Sequence, residues 1–341
     1  MLLNVLRSSA KVKRMSLVDE HDAVLFDLDG TVWEGGTAIP HAAEAIQALN
    51  VPCLYITNNA SRSAEEVSTM LQAAGVAANP SEVLTSAQAA VTLAAQHLRP
   101  GDPVLVLGAS SFRQLVAEAG YSVVDSADQD PKVVLQGHSP ETGWKELSEA
   151  ALALQRGATY LASNLDTSLP MQRGLMVGNG SMVAAVTSAT GVVPQSAGKP
   201  EPAMFLQAAQ AVGAQRPLAV GDRLDTDIAG AVAAGIPALH VTTGVSGPLA
   251  LIEAAKDQRP TYIAEDLRAL AADAAQLRPG RQGGFSARVD GSDIILSGGE
   301  PNAGSIQALR TVLEVAWLMD APPELVRPNS DMAEAATSQW W

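Results

Sequence analysis

Two aspartates follow directly on a short apolar segment near the start of the chain. The segment Ala23–Phe26 leads into the sequence DLDGTVWEGG at residues 27–36. Because side chains alternate along an extended backbone, Asp27 and Asp29 lie on one side and Leu28 points back into the protein. One carboxylate could act as a nucleophile and the other could transfer a proton. An acidic loop after a strand is also common as a turn or a helix cap, so downstream residues must distinguish the two interpretations.

Two later segments carry groups that could hold a phosphate. An apolar segment ends in Thr57 and Asn58, whose hydroxyl, amide and following backbone N–H groups can bind phosphate oxygens. Lys199 precedes Pro200, which favours an extended backbone at the lysine. A fixed ammonium there could neutralise developing charge. Helix capping and a solvated surface lysine are the competing interpretations.

Three acids surround one turn further along the chain. The sequence LAVGDRLDTDIAGAVAAG at residues 218–235 begins as an apolar strand that ends in Asp222. Asp225 and Asp227 follow at the opening of a helix. Clustered carboxylates suit Mg²⁺, which prefers one or two carboxylates together with water and substrate oxygens. A single aspartate here could simply complement the helix dipole, but three acids around one turn favour the metal site.

Strand-like and helix-like segments alternate through most of the chain, which predicts an α/β fold with parallel strands. Helices are predicted from about residue 41 and from Ala64 to Ala74. The candidate core strands are Val24–Asp27, Pro52–Thr57, Leu218–Gly221 and Ala238–Val241.

A second set of strands and helices interrupts the first. We therefore predict a core at residues 15–86 and 197–276, with an inserted α/β domain at residues 87–196. A linker-like stretch leads into an extension at residues 277–341, whose expected role is packing or dimerisation. The extension is predicted to contain strands at Phe285–Val289 and Ile294–Leu296, a helix at Ser305–Met319 and a loose proline-containing tail.

The composition excludes several classes of protein. The 341 residues carry a net charge of −14, which makes nucleic acid and anionic membranes poor partners. The apolar stretches are too short for membrane insertion, and the first fourteen residues lack the apolar region of a signal peptide. Cys53 is the only cysteine, which excludes an intramolecular disulfide and a cysteine-based zinc site. These features predict a cytoplasmic globular protein, and a homodimer would form through the extension.

Taken in this order, the four segments resemble the motifs of the haloacid dehalogenase superfamily of aspartate-nucleophile phosphatases. The resemblance covers roughly residues 20–275 and narrows to subfamily IIA, the branch of ribonucleotide, phosphoglycolate and pyridoxal phosphatases. It implies a Rossmann-like, doubly wound parallel-sheet core with an inserted α/β cap of the C2 type and a small C-terminal α+β extension. The matching segments are DxDGTxWxG around Trp33, TNN at 57–59, GATYLASNLD at 157–166, GLMVGNGSM at 174–182 and GKPEPAMF at 198–205.

The resemblance implies roles for five residues of the core. Asp27 would attack phosphorus to give an aspartyl-phosphate. Asp29 would protonate the leaving alkoxide and then activate water for hydrolysis. Thr57 and Asn58 would orient the phosphoryl group, and Lys199 would offset its charge.

The resemblance also implies Mg²⁺ as the cofactor. The ion would be held by Asp27, the backbone carbonyl of Asp29 and Asp222, with Asp227 supporting directly or through water. In the cap, Asn164, Asp166 and the turn at residues 178–180 would either face the leaving group or hold their own loop, and both interpretations stay open. Trp33 would either shape the entrance between core and cap or simply pack.

The layout further resembles actinobacterial glycerol-3-phosphate phosphatases, which join a capped core to a short extension. That resemblance implies hydrolysis of glycerol 3-phosphate to glycerol and phosphate, with glycerophospholipid turnover as a candidate role. Phosphoglycolate, nucleotides and sugar phosphates are alternative substrates, and a phosphotransferase or mutase is an alternative activity. A non-catalytic binding protein would be expected to lack Asp27 or Asp29, and both are present.

Overall fold

The described part of the chain comprises residues 15–171, 173–338 and 340 of a computed structural model. The expectation about the first fourteen residues therefore lies outside the described residues. Within this part of the chain, no helix combines the length and the apolar character that a membrane crossing requires.

The first part of the chain contains three strands of the main sheet, a short hairpin and three helices. Ser63 and Thr85 are the N-caps of two of these helices, and each accepts a hydrogen bond from the backbone N–H three residues further on. The elements are β1 (Ala23–Phe26), β2 (Trp33–Glu34), β3 (Thr37–Ala38), α1 (Ala42–Gln47), β4 (Cys53–Thr57), α2 (Ala64–Ala73), β5 (Val83–Thr85) and α3 (Ser86–Ala94).

The next part of the chain forms a separate sheet with three helices. The elements are β6 (Pro103–Leu107), α4 (Ser110–Glu118), β7 (Ser122–Val124), β8 (Val133–Gln136), α5 (Trp144–Gln155), β9 (Thr159–Ala162), β10 (Ser168–Met171), β11 (Gly174–Val177), α6 (Asn179–Thr190) and β12 (Gln195–Ser196). Five of the strands are parallel, in the order β12–β9–β8–β6–β7, and β10 and β11 form an antiparallel hairpin.

The chain then returns to the first sheet and completes it. The returning elements are α7 (Ala203–Ala211), β13 (Pro217–Gly221), α8 (Ala229–Ala233), β14 (Ala238–Val241), α9 (Pro248–Ile252) and β15 (Tyr262–Ala264). The complete sheet has six parallel strands in the order β15–β14–β13–β1–β4–β5. The four predicted core strands are confirmed to within one residue at each end.

Apolar side chains bury both faces of the six-stranded sheet. Leu25 packs into one apolar cluster, whereas its neighbours Val24 and Phe26 pack into a cluster on the other face. A near-continuous apolar run such as β1 is typical of a parallel strand that is covered on both sides. The predicted fold class, a doubly wound α/β core with a second α/β sheet, is confirmed.

The extension is a three-stranded sheet with two helices. Its elements are β16 (Phe285–Asp290), β17 (Asp293–Gly298), α10 (Ser305–Ala316), β18 (Val326–Pro328) and α11 (Asp331–Thr337). The apolar side of α10 joins the apolar cluster of the main sheet, with Leu309 and Val312 buried. The Arg310 guanidinium donates to the Ile263 carbonyl of β15 from Nε at 2.8 Å and from Nη2 at 2.5 Å.

The prediction of a loose tail after residue 319 is wrong. Residues 326–337 form β18 and α11, and the buried Trp340 indole donates to Ser305 Oγ at 2.7 Å. The prolines suggested a tail, but Pro328 ends an edge strand, where a missing N–H costs no ladder hydrogen bond. Ser330 then caps α11 by accepting from the Ala333 N–H.

Candidate active site

The candidate site lies at the carboxyl ends of three adjacent strands of the main sheet. Asp27 follows β1, Thr57 ends β4 and Asp222 follows β13. The strand β1 lies between the other two in the sheet, so parallel pairing brings all three side chains to one edge. In open α/β sheets this edge, near the point where the strand order reverses, is where ligands bind.

Lys199 joins this cluster from the segment before α7. It is 3% exposed, and its Nζ lies 2.5 Å from Asp27 Oδ1 and 2.7 Å from Asp227 Oδ1. The same nitrogen donates to the Ile56 carbonyl at 3.2 Å. Burial alone would lower the pKa of Lys199, but Asp227 and Asp27 outweigh it and raise the pKa above its ordinary value. The lysine is therefore a buried counter-charge and not a solvated surface residue.

Two glycines enclose the carboxylate of Asp222. A Cβ on Gly30 would lie 2.5 Å from Asp222 Oδ2, and a Cβ on Gly244 would lie 2.0 Å from it. The Val245 N–H donates to the same oxygen at 2.6 Å, and Thr31 Oγ1 lies 3.4 Å from Oδ1. Gly30 also has a backbone φ of +90°, which residues with a side chain rarely adopt. These contacts fix the direction in which the carboxylate points.

The buried cluster holds more negative than positive charge. Ligand oxygens of Asp27, Asp222 and Asp227 lie within 4.8 Å of one another, and this is the only such acidic group among the described residues. Burial, and next the charge of Asp227, raises the pKa of Asp27 well above its ordinary value and that of Asp222 to about 6. Three carboxylates against one ammonium form a site that fits a hard divalent cation such as Mg²⁺.

Asp225, the remaining acid of the predicted turn, lies outside this group. Its carboxylate is largely exposed and accepts from the Arg223 side chain at 2.8 and 3.1 Å. The Arg223 backbone N–H instead donates to Asp227 Oδ2 at 3.1 Å, which holds Asp227 toward Lys199.

Asp29 lies beside the cluster and contacts an aromatic side chain. The Trp33 indole Nε1 donates to Asp29 Oδ1 at 2.9 Å. Burial raises the pKa of Asp29, and the hydrogen bond from Trp33 partly opposes the rise. A carboxyl whose pKa is raised above its ordinary value is better suited to hold and donate a proton.

The side chain of Asn58 holds the segment that carries Lys199. Its Oδ1 accepts from the Lys199 N–H at 2.8 Å, and its Nδ2 donates to the Lys199 carbonyl at 3.0 Å. The amide is thus engaged with the backbone of Lys199. Thr57 Oγ1 accepts from the Asn59 N–H at 3.1 Å, and no acceptor for its own O–H occurs among the described residues.

The predicted cap residues lie on the same side as the site. The Asn164 amide donates to the Asn58 carbonyl at 2.7 Å, and its oxygen accepts from the Asp166 N–H at 3.3 Å, so it joins its own loop to the segment of Asn58. The Asp166 carboxylate accepts from Asn58 Nδ2 at 3.2 Å. Asn179 is buried below this loop and donates to the Asn164 carbonyl at 2.7 Å. Asp166 therefore places a carboxylate of this loop beside Asn58.

Sequence patterns did not reveal three of the contacts. The segment with Gly244 and Val245 follows β14, and only its glycine could have indicated a close backbone approach. Ser61 Oγ lies 3.0 Å from His138 Nδ1 and donates to the His138 carbonyl at 3.1 Å, linking the two sheets. The sequence did not indicate the contact between Trp33 and Asp29, because an aromatic residue after this loop could equally have packed in the core.

A parallel α/β sheet that brings a buried lysine and several aspartates to one edge is typical of enzymes that act on phosphate esters. Comparison with known families agrees with this class. A model of haloacid dehalogenase-like hydrolases matches residues 24–122, and a HAD-hydrolase-like model matches residues 196–270. The chain belongs to the haloacid dehalogenase-like hydrolase family, and it is a phosphatase.

Two similar proteins and one solved structure illustrate the relationship. The D-glycerol 3-phosphate phosphatase of Mycobacterium tuberculosis is 40% identical over 336 residues, which cover 95% of each chain. The acid sugar phosphatase of Staphylococcus aureus is 36% identical over 255 residues, which cover 73% of this chain and 96% of that protein. The crystal structure of the M. tuberculosis glycerol phosphate phosphatase in complex with magnesium matches with a TM-score of 0.91 and 41% identity, covering 96% of this chain and 98% of that one.

Proposed function

We propose that this phosphatase hydrolyses glycerol 3-phosphate in a Mg²⁺-dependent reaction that forms an aspartyl-phosphate on Asp27. The observation that carries the mechanism is the Asp27 carboxylate, held 2.5 Å from the Lys199 ammonium inside a group of three buried acids. The choice of substrate is supported by the similarity to a D-glycerol 3-phosphate phosphatase along 95% of both chains. Residues 87–196 would form the cap over this site, and the domain boundaries stay predictions.

In the first step, an oxygen of Asp27 attacks the phosphorus and the bond from phosphorus to the glycerol oxygen breaks. Asp29 donates its proton to that oxygen, so glycerol leaves as a neutral alcohol. Lys199 offsets the charge on the phosphoryl oxygens. The Thr57 hydroxyl and the backbone of Asn58 orient the group, because the Asn58 amide is already engaged with Lys199.

In the second step, a water molecule attacks the phosphorus of the aspartyl-phosphate. Asp29, now a carboxylate, accepts a proton from that water, and the bond from phosphorus to Asp27 breaks. Phosphate leaves, and both aspartates return to their starting protonation states. A phosphotransferase would differ only in the acceptor, because a sugar hydroxyl would take the place of water.

The cation would be held by Asp27, Asp222, the backbone carbonyl of Asp29 and, directly or through water, Asp227. When bound, Mg²⁺ would neutralise negative charge on the carboxylates and on the substrate oxygens. The enclosure of Asp222 by Gly30 and Gly244 supports the assignment, since a fixed carboxylate is suited to the strict geometry of this ion.

Mg²⁺ binding should change how the free energy of unfolding depends on pH. The pKa of Asp222 rises from 3.8 to about 6 on folding, so the folded protein binds more protons between these values. Without divalent ions, the free energy of unfolding should therefore fall as the pH rises through this window. Mg²⁺ should recover the loss above it, because the ion binds the ionised carboxylates. Melting curves with EDTA and with Mg²⁺ measure both effects.

The Asp222→Asn variant is the control for this measurement. It should lose the part of the pH dependence that Asp222 contributes, while the part from Asp27 remains, and it should lose most of the response to Mg²⁺. Identical melting temperatures of the wild-type protein in EDTA and in Mg²⁺ at neutral pH would count against the magnesium site.

The position of Asp166 favours a substrate whose alcohol part carries no charge, such as glycerol 3-phosphate. Its carboxylate lies beside Asn58 and would accept hydrogen bonds from the hydroxyls of glycerol, whereas it would repel the carboxylate of phosphoglycolate. Asp166→Asn should lower kcat/KM for glycerol 3-phosphate by about 10-fold. The same change should raise the ratio of phosphoglycolate to glycerol 3-phosphate hydrolysis by about 10- to 100-fold, since repulsion is removed.

Asp125→Asn provides a matched control for the change in charge. Asp125 lies in the same segment, but it is exposed and paired with Arg113. An unchanged substrate ratio in Asp166→Asn, or an equal change in Asp125→Asn, would contradict the role of Asp166.

The function itself is tested by phosphate release from a panel of phosphomonoesters with and without Mg²⁺. The panel contains glycerol 3-phosphate, phosphoglycolate, pyridoxal phosphate, UMP and sugar phosphates. The highest kcat/KM for glycerol 3-phosphate would support the proposal, and a preference for another ester would retain the mechanism and replace the substrate. Transfer to a sugar hydroxyl without free phosphate would favour a phosphotransferase.

We further propose a cytoplasmic site of action and a homodimer. A single half-buried thiol, Cys53, suits a reducing compartment. In the extension, Leu318 is 84% exposed and Val289 is 47% exposed, which supports a contact with a second copy. Sedimentation velocity of the full chain distinguishes a monomer from a dimer.

A further inference from the structure

The carboxylate of Asp29 has one hydrogen-bond partner among the described residues. That partner is the indole of Trp33, whose Nε1 donates to Asp29 Oδ1 at 2.9 Å. The indole is 3% exposed, so little water competes for its N–H. Tryptophan can only donate, and it therefore holds one oxygen of the carboxyl without being able to exchange a proton with it.

The backbone around Trp33 fixes the indole from both sides. The Trp33 N–H donates to the Leu28 carbonyl at 3.1 Å, and the Gly30 N–H donates to the Trp33 carbonyl at 2.7 Å. Trp33 also pairs with Ala38 in the hairpin of β2 and β3. These bonds connect the loop at residues 28–30 to the hairpin, so the indole keeps a fixed position beside Asp29.

We infer that Trp33 is a positioning residue that aims the proton of Asp29 at the leaving oxygen of the substrate. The inference rests on the proposed function, in which Asp29 is the general acid. Rotation about the terminal bond of an aspartate is broad and exchanges its two oxygens. Because Oδ1 accepts the indole N–H, the acidic proton belongs on Oδ2, and the carboxyl is held in one orientation. In this arrangement Oδ2 is the atom that delivers the proton.

The leaving group decides how much this orientation matters. Glycerol leaves as a strongly basic alkoxide unless it receives a proton, so cleavage of glycerol 3-phosphate depends on a correctly aimed acid. The p-nitrophenolate ion is a far weaker base and leaves without a proton. A residue that only aims the proton should therefore affect the alkyl ester much more than the aryl ester. A residue that only shapes or stabilises the site should affect both esters equally.

The test compares kcat/KM of the full chain for glycerol 3-phosphate and p-nitrophenyl phosphate with Mg²⁺ present. This parameter covers the steps up to phosphorylation of Asp27 and omits the later hydrolysis, which is common to both esters. The Trp33→Phe variant keeps an aromatic ring and removes the N–H. Its kcat/KM should fall by about 10- to 100-fold for glycerol 3-phosphate and by less than about 3-fold for p-nitrophenyl phosphate.

Two further variants complete the comparison. Trp340→Phe removes another buried indole N–H, which donates to Ser305 Oγ at 2.7 Å in the extension, and should leave the ratio of the two esters unchanged. If Trp33→Phe fails to fold, 3-benzothienylalanine at position 33 preserves the shape of indole and replaces N–H by sulfur. The same shift in ratio is expected for it.

Asp29→Asn separates the inference from the function on which it rests. A large shift in the ester ratio for Asp29→Asn and none for the variants at position 33 would overturn the positioning role and leave the general acid in place. Equal losses on both esters at position 33 would overturn it in the same way. No shift in Asp29→Asn would remove the general acid, and the inference with it.

Discussion

The Asp27→Asn variant is expected to lose about 10⁵-fold in kcat, because an amide is a poor nucleophile. The stability of this variant without metal, in contrast, should increase. Burial, followed by the charge of Asp227, raises the pKa of Asp27, so the ionised carboxylate is unfavourable in the metal-free fold. Removing that charge should raise the melting temperature in EDTA. Phosphate release and melting curves of one preparation measure both quantities.

A surface substitution provides the control for Asp27→Asn. Asp290→Asn removes an exposed acid that is paired with Arg288 in the extension, and it should change neither activity nor stability appreciably. Retention of wild-type turnover by freshly prepared Asp27→Asn protein would falsify the nucleophile. A lower melting temperature of the variant in EDTA would contradict the expected rise. It would show that the Asp27 carboxylate stabilises the metal-free fold.

The Lys199→Met variant is expected to lose both activity and about 3–5 kcal/mol of unfolding free energy at neutral pH. Methionine preserves most of the buried volume but leaves Asp27 and Asp227 without their ammonium partner. The deficit should shrink as the pH falls, because protonated carboxyls no longer need a counter-charge and the pKa of Asp27 is already raised. Urea unfolding at several pH values measures the free energy and its dependence on pH.

Lys145→Met is the matched control, since Lys145 lies exposed on α5. This change should alter the unfolding free energy by less than about 0.5 kcal/mol. If Lys199→Met were as stable as the wild-type protein at every pH, the pairing of Lys199 with the two aspartates would not contribute to the fold.

The sequence predicted the main sheet and the position of the site because both follow from short-range patterns. Apolar runs followed by Asp27, Thr57 and Asp222 predict strands with polar carboxyl ends, and parallel pairing brings such ends together. The separate α/β set between β5 and β13 was also predicted, because strand-like and helix-like segments alternate there too. Each of these predictions depends on residues that are neighbours in the chain.

Contacts between distant segments could not be predicted in this way. The Asn58 amide bonds the backbone of Lys199, 141 residues away, and no pattern around Asn58 indicates this contact. The approach of Gly244 and Val245 to Asp222 likewise depends on how two loops meet. The tail after residue 319 was mispredicted because its prolines were given more weight than Ser330 and the apolar side of α11.

The contact of Arg310 with Ile263 has a consequence for shortened versions of the chain. The Ala264 carbonyl accepts from the Thr242 N–H of the neighbouring chain segment, so the alternate residue, Ile263, turns its carbonyl away from β14 toward the open side of β15. The guanidinium of α10 therefore shields the last strand from pairing with another molecule. A protein that ends at residue 276 would bare this strand together with the surface under Leu309 and Val312, and it would tend to self-associate into aggregates.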